Sequence, residues 1–223
     1  MNASGRLSRM LGIAFLLQFV TSLGNGTVLK PMWFVAGDMV ATLVRIAERP
    51  LALRGFILVD VATALGVAFL GAMLYLVLRR VDERIALTGF AFYLIEAALL
   101  AASRGEAFAM LRIAEAYEAT GRPDALLSLG GLAYESMDFV GNTLHMLAFC
   151  LGALLFYSLL VRSGVVPRWL ALWGLIATVP MLIGTVSQVF GTTIPFYFYL
   201  PYVPFELVVG IWILAVGMRA EAS

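Results

Sequence analysis

The 223-residue chain is short of the side chains that most chemistry and most soluble surfaces require. It has one cysteine, Cys150, so no disulfide framework of the kind that staples small secreted domains is available to it. It has one histidine, His145, which excludes a haem held by two histidines. A histidine–methionine haem with Met146 is a weak remainder. A zinc hydrolase site would have to combine His145 with scattered acids, and no HExxH-like spacing supports one. The single lysine, Lys30, falls outside the apolar segments, so a retinal Schiff base is excluded. With one lysine and a net charge of +1 there is no basic surface for nucleic acid. Nucleophile elbows, P-loops and dinucleotide-binding glycine motifs are absent. Charged residues make up 13% of the chain, about half the share usual in a soluble domain.

What the chain has is apolar length. Sixty-two percent of its residues are hydrophobic and its mean hydropathy is +0.95. A helix crossing a hydrocarbon core of about 30 Å needs about 20 mostly apolar residues. Six segments qualify, at about 10–27, 55–78, 85–103, 139–161, 169–190 and 201–218. They lack the alternation of barrel strands, and only helices or closed barrels satisfy the backbone in lipid. The expectation is an all-α, polytopic membrane helix bundle: a single domain over 1–223, with six transmembrane helices and short amphipathic helices in the outer loops. The first segment has a rival reading as a signal peptide, with Arg6 and Arg9 before LGIAFLLQFV and a cleavage site at Ser22-Leu23-Gly24. A retained helix is preferred, because five spans alone would bury less polar surface.

The arginines and lysine near the span ends suggest an orientation. With the N-terminus inside, the inner side holds Arg6, Arg9, Arg79, Arg80, Arg84, Arg162, Arg168 and Arg219, and the outer side holds Lys30, Arg45, Arg49, Arg54, Arg104, Arg112 and Arg122. The short inner turns are basic, RSGVVPR among them, while the longer outer loops also carry acids. Both termini are therefore placed in the cytoplasm. In the first outer loop, DMVATLVRIAERP spaces Met39, Val40, Leu43, Val44 and Ala47 as one face of a helix, read as lying on the membrane and ended by Pro50. In the second, GEAFAMLRIAEAYEATGRP and DALLSLGGLAYESMD read as helices, the latter capped by Asp124. They either form a lid or extend spans three and four beyond the bilayer. Trp169 and Trp173 fit an inner aromatic belt, and Tyr197, Tyr199 and Tyr202 an outer one.

Ionisable groups inside spans are costly and usually face the bundle interior or water. They are few here: Asp60, Glu96, His145 and Glu206, with Asn142 and Gln188 as neutral companions. At 1.5 Å per residue, all six fall in the outer half of the bilayer, as does Asn25, above nearly apolar inner halves. The pattern predicts a polar pocket open to the outer side. Each residue also has a purely structural role open to it. Glu206 can offset a helix dipole, Asp60 can pair with Arg54 or Thr63, and Glu96 can be a neutral acid bonded to a carbonyl. His145, Asn142 and Gln188 can be packing or interhelical bonds. Cys150 sits in an apolar stretch and reads as inert.

Four stretches resemble a bacterial membrane family, domain-of-unknown-function family 4386. LLVRSGVVPRWLALWGL is similar to that family's short turn, which places its arginine, serine and proline on Arg162, Ser163 and Pro167. NTLHMLAFCLGALLFY resembles its histidine-bearing fourth span. FELVVGIWILAVGMR resembles its last span, placing Glu206 and Trp212, and RIAERPLALRGFILVDVATAL resembles the start of its second, with Asp60. The likeness departs after Arg168 and in the long third loop. It implies six spans and a bacterial cytoplasmic (inner) membrane, and it implies no activity. The turn also has its own physical account, with Gly164 ending one helix and Pro167 opening the next.

Three functions follow as alternatives. The preferred one is a non-enzymatic protein binding a small or lipidic, partly apolar ligand in the outer pocket. The second is a membrane-embedded enzyme acting on a lipid, with His145 as base and Glu96 orienting it. The third is a structural subunit that partners another membrane protein or a second copy of itself. No cofactor, metal or nucleic acid enters any of them.

Overall fold

The computed structural model describes residues 3–192 and 194–218, and they are helical through most of their length. Arg219, counted above among the inner arginines, lies outside the described residues. Helix α1 (Ala3–Gly24) passes into a π-helical stretch, π1 (Asn25–Leu29), and a short α2 (Lys30–Trp33). Then come α3 (Met39–Glu48), α4 (Pro50–Leu78), α5 (Glu83–Ala119) and α6 (Asp124–Asp138). A second π-helical stretch, π2 (Phe139–Leu144), joins α6 to α7 (His145–Ser163). Helix α8 (Arg168–Val189) and α9 (Val203–Val216) complete the chain.

Among the described residues, five helices are long and apolar enough to cross a membrane: Gly5–Trp33, Pro50–Leu78, Glu83–Ala119, Asp124–Ser163 and Arg168–Val189. Their outward faces carry large apolar side chains, such as Ile13, Leu58, Leu65 and Ile176, that are more than half exposed, as a lipid-facing surface requires. The sixth expected span is present in shortened form. Helix α9 has 14 residues, about 21 Å of helix. The remainder of that crossing is irregular chain laid on α8. Ile194 and Phe198 face Gly184, the Tyr199 hydroxyl donates to Gln188 Oε1 at 3.3 Å, and the Trp173 indole donates to the Pro201 carbonyl at 2.9 Å. Irregular backbone at membrane depth is tolerated where protein satisfies it.

The helices follow one another around the bundle. Helix α1 packs between α9 and α4, α4 on α5, α5 on α7, and α7 on α8. Short turns close one end. Asp82 caps α5 by accepting from the Ile85 N–H at 3.1 Å, and Gly164 ends α7 in the left-handed conformation (φ 65°). At the same end Ser8 Oγ accepts from the Met218 N–H at 3.0 Å, which brings the two ends of the bundle's chain together. The opposite end carries the long connections. There α5 continues unbroken past Arg104 for 37 residues in all, about 55 Å, well beyond a hydrocarbon core of about 30 Å. The extension reading of that loop is the one the helix adopts. Its C-terminal part packs with α3, α6 and the start of α4 into a second apolar core built on Trp33, Leu43, Ile46, Met110, Leu111 and Tyr117.

Local details refine the expectations. Helix α3 forms with Asp38 as its cap, accepting from Ala41 N–H at 2.8 Å, and its buried side is Thr42, Leu43 and Ile46, packed against α5 and α6, while Val40 is exposed. Asp124 begins α6 as its first residue and Pro123 takes the capping position, with no side-chain bond. Tyr202 is 5% exposed and belongs to the core, not to a belt.

Candidate functional site

A cavity of about 140 Å³ lies in the half of the bundle below the second core. Its walls come from α1, π1, α2, α4, α5, the end of α6, π2 and the first turn of α7. Four of the six residues singled out by depth meet there: Asp60, Glu96, Asn142 and His145. Gln188 and Glu206 do not line it. Gln188 bonds to Tyr199 at the end of α8. Glu206 accepts from the Tyr202 hydroxyl at 3.0 Å, and that hydroxyl lies 2.6 Å from the Tyr157 hydroxyl. Tyr157 is twelve residues beyond His145 on α7, about 18 Å deeper. The reason for the misplacement is the late start of α9. Counting from Pro201 at the surface puts Glu206 one and a half turns down, whereas the chain has already descended before that helix begins.

The sequence reading missed the charge that organises the cavity. Arginine at the end of an apolar run reads as a stop signal, yet Arg104 sits inside α5 and is 6% exposed. Its Nη1 lies 2.7 Å from Asp60 Oδ2, with the two side chains 6% and 11% exposed. Its Nε and Nη2 donate to Ser103 Oγ at 3.0 and 2.8 Å, and Ser103 donates in turn to the Leu100 carbonyl at 2.7 Å. The guanidinium also lies over the Phe56 ring, 5.0 Å from its centroid. Asp60 therefore pairs with Arg104 rather than Arg54. The available signal was the mismatch in length: a span with an acid in it and no neighbouring cation needs one from another helix.

The π-helical stretches supply part of the wall. Inserted residues of this kind occur frequently at functional sites, and both stretches present lining residues here, Asn25 and Gly26 from π1, Gly141 and Asn142 from π2. Gly141 is there for space. A Cβ built on it would overlap the Arg104 guanidinium and come within 2.5 Å of Ser103 Oγ. Asn142 Nδ2 donates to Asp138 Oδ1 at 2.5 Å, and Asp138 also faces Lys30 Nζ at 3.4 Å. Lys30 stands over the rings of Phe34 and Tyr134, themselves stacked 4.4 Å apart, which form the rim beneath the second core.

Several buried polar atoms of the lining have no hydrogen-bond partner among the described residues: Gln18 Oε1, Asn25 Oδ1, Glu96 Oε2 and His145 Nδ1. Asn25 is held by its other end, Nδ2 donating to the Phe56 carbonyl at 3.2 Å. No bond links His145 to a carboxylate among the described residues, so the base-and-orienting-acid pair expected of a catalytic His145 is not assembled. A buried polar group left unpaired costs about 1–3 kcal/mol, and four of them face this one small space. The cavity is also unwalled on one side. Helices α1 and α7 flank it without packing on each other, and no residue of α8, α9 or the irregular segment lines it. Its exposed lining residues, Ser22, Gly26 and Asn142, stand on either side of that gap.

Among the described residues no group of three or more histidine, cysteine, aspartate and glutamate side chains is placed to hold a metal ion. No curated protein and no solved structure matches the chain. A family model does, over residues 10–217, nearly the whole of the described bundle and all of the cavity lining. The polar positions in the spans, the basic short turns and that match together place this multi-pass, all-helical chain in the family described as a domain of unknown function, DUF4386.

Proposed function

We propose that the protein binds the polar part of a membrane-borne small molecule or lipid in the Asp60–Arg104 cavity, without catalysing a reaction on it. The observation that carries this is the set of unpaired polar atoms around one space walled by four long helices and unwalled between α1 and α7. A volume of about 140 Å³ is close to the roughly 150 Å³ known to take benzene. It suits one polar group of a larger molecule, with apolar chains left outside in the gap. The bilayer in question is a bacterial cytoplasmic membrane with both chain ends inside, which puts the cavity in the outer leaflet. The basic short turns support that setting.

Native mass spectrometry of the protein released from a mild detergent tests the proposal. An adduct of constant mass on the wild type, lost in Glu96→Gln and in Asn25→Leu, is the expected result. Bare protein in every preparation, with folded variants indistinguishable from wild type, overturns it and turns attention to a structural role with a protein partner.

A further inference from the structure

The chemistry of the unpaired atoms narrows what the cavity can accept. Its two cations are already matched, Arg104 by Asp60 and Lys30 by Asp138. Glu96 is different. It is 3% exposed, makes no ion pair and leaves Oε2 unbonded among the described residues. With both cations of the lining taken by Asp60 and Asp138, Glu96 is the acid of the cavity left without a cation. A buried carboxylate without a partner is among the costliest features a protein can hold.

The neighbouring unpaired atoms are acceptors as well. Asn25 must present oxygen, because its nitrogen is engaged with the Phe56 carbonyl. Gln18 Oε1 lies in the same wall. An ammonium group carries three N–H donors and a positive charge and so satisfies this set. A phosphate would bring more acceptors to these oxygens, and the two cations of the lining are already paired. A quaternary ammonium has no donor and is held by aromatic cages, yet Phe56 is the single aromatic of this lining and Arg104 already covers its face.

Resting on the binding function proposed above, we infer that the recognised group is a primary ammonium, with Glu96 as its counter-charge and Asn25 and Gln18 accepting its protons. An aminoethyl phospholipid headgroup entering between α1 and α7 and a free short-chain amine share this chemistry.

The test separates the two sources. In nanodiscs of equal parts ethanolamine, choline and glycerol phospholipids with identical chains, the lipid retained on the released protein is weighed. The expected result is enrichment of the ethanolamine lipid about tenfold over choline, falling to parity in Glu96→Gln and partly kept in Glu96→Asp, which preserves the charge should the glutamine variant fail to fold. In choline-lipid nanodiscs, ethylammonium at ten times its Kd should raise the unfolding midpoint by about 3 °C or more, with tetramethylammonium and glycerol inert. Stabilisation by ethylammonium without lipid enrichment assigns the site to a free amine and upholds the ammonium. Retention of glycerol lipid or of an acidic adduct overturns the ammonium and leaves binding intact. No adduct and no stabilisation by any probe overturns both.

Discussion

Replacing Asp60 and Arg104 one at a time and then together separates what their pair does for stability from what it does for the cavity. At 2.7 Å, and with an effective dielectric of about 20, their attraction is about 6 kcal/mol. Most of that is offset by the cost of taking both charges out of water, so the intact pair adds little net stability. Breaking it is another matter. Asp60→Leu leaves a guanidinium buried among α4, α5 and π2 with Ser103 as its one polar partner, and Arg104→Met leaves a buried carboxylate. Each single change should cost about 3–5 kcal/mol, a fall of roughly 6–20 °C in the unfolding midpoint for a chain of this size. The double variant Asp60→Leu/Arg104→Met removes both charges and should recover most of the loss, because apolar side chains of similar volume often replace a buried pair at no cost. Differential scanning fluorimetry in nanodiscs, with an unfolding titration in mixed micelles, measures all four corners of the cycle. The recovered variant should still lose its adduct, since the charges that shape the cavity wall are gone. If Asp60→Leu melts within about 2 °C of wild type, or if the double variant is as damaged as the sum of the singles, the pair is solvated and the energetic reasoning fails.

Other outcomes follow from single contacts. Gly141→Ala should push the Arg104 guanidinium off Asp60, lower the midpoint by several degrees and weaken adduct retention, whereas Gly131→Ala in the same helix run, where a Cβ meets nothing, should do neither. Tyr202→Phe removes the donor to Glu206 and the partner of Tyr157, costing about 1–3 kcal/mol of stability by the same melting assay. Because that cluster lies below the cavity, ligand retention should be unchanged. Gly164→Ala places a side chain at φ 65° and should cost about 1–2 kcal/mol, read as a drop of a few degrees with no effect on binding.

Much of this architecture was legible because hydropathy reports depth. Segment length fixed five spans, and counting residues from the span ends put Asp60, Glu96, Asn142 and His145 in the same half of the bilayer, and they line one cavity. Azimuth was not legible. The long spans are apolar nearly all round, so nothing in α8 marked which way Gln188 turns, and it faces Tyr199 instead of the cavity. Depth itself failed where the chain was not helical: the irregular run before Val203 moved Glu206 away from the level assigned to it. Arg104 was hidden by the same rule that found the spans, because a hydropathy scale cannot tell a charge that ends a helix from one that is answered by an acid on the next. The helix-adding π stretches carry no composition signature in NGTVL or FVGNTL beyond one glycine and one asparagine each.

The shortness of α9 has a consequence for α8. A 14-residue helix covers about 21 Å against a hydrocarbon thickness of about 30 Å. The rest of that crossing is made by the run before Val203, whose backbone cannot satisfy itself as a helix does, and which leans on α8 through Trp173 and Gln188. Those two side chains therefore carry a duty that a longer α9 would have made unnecessary.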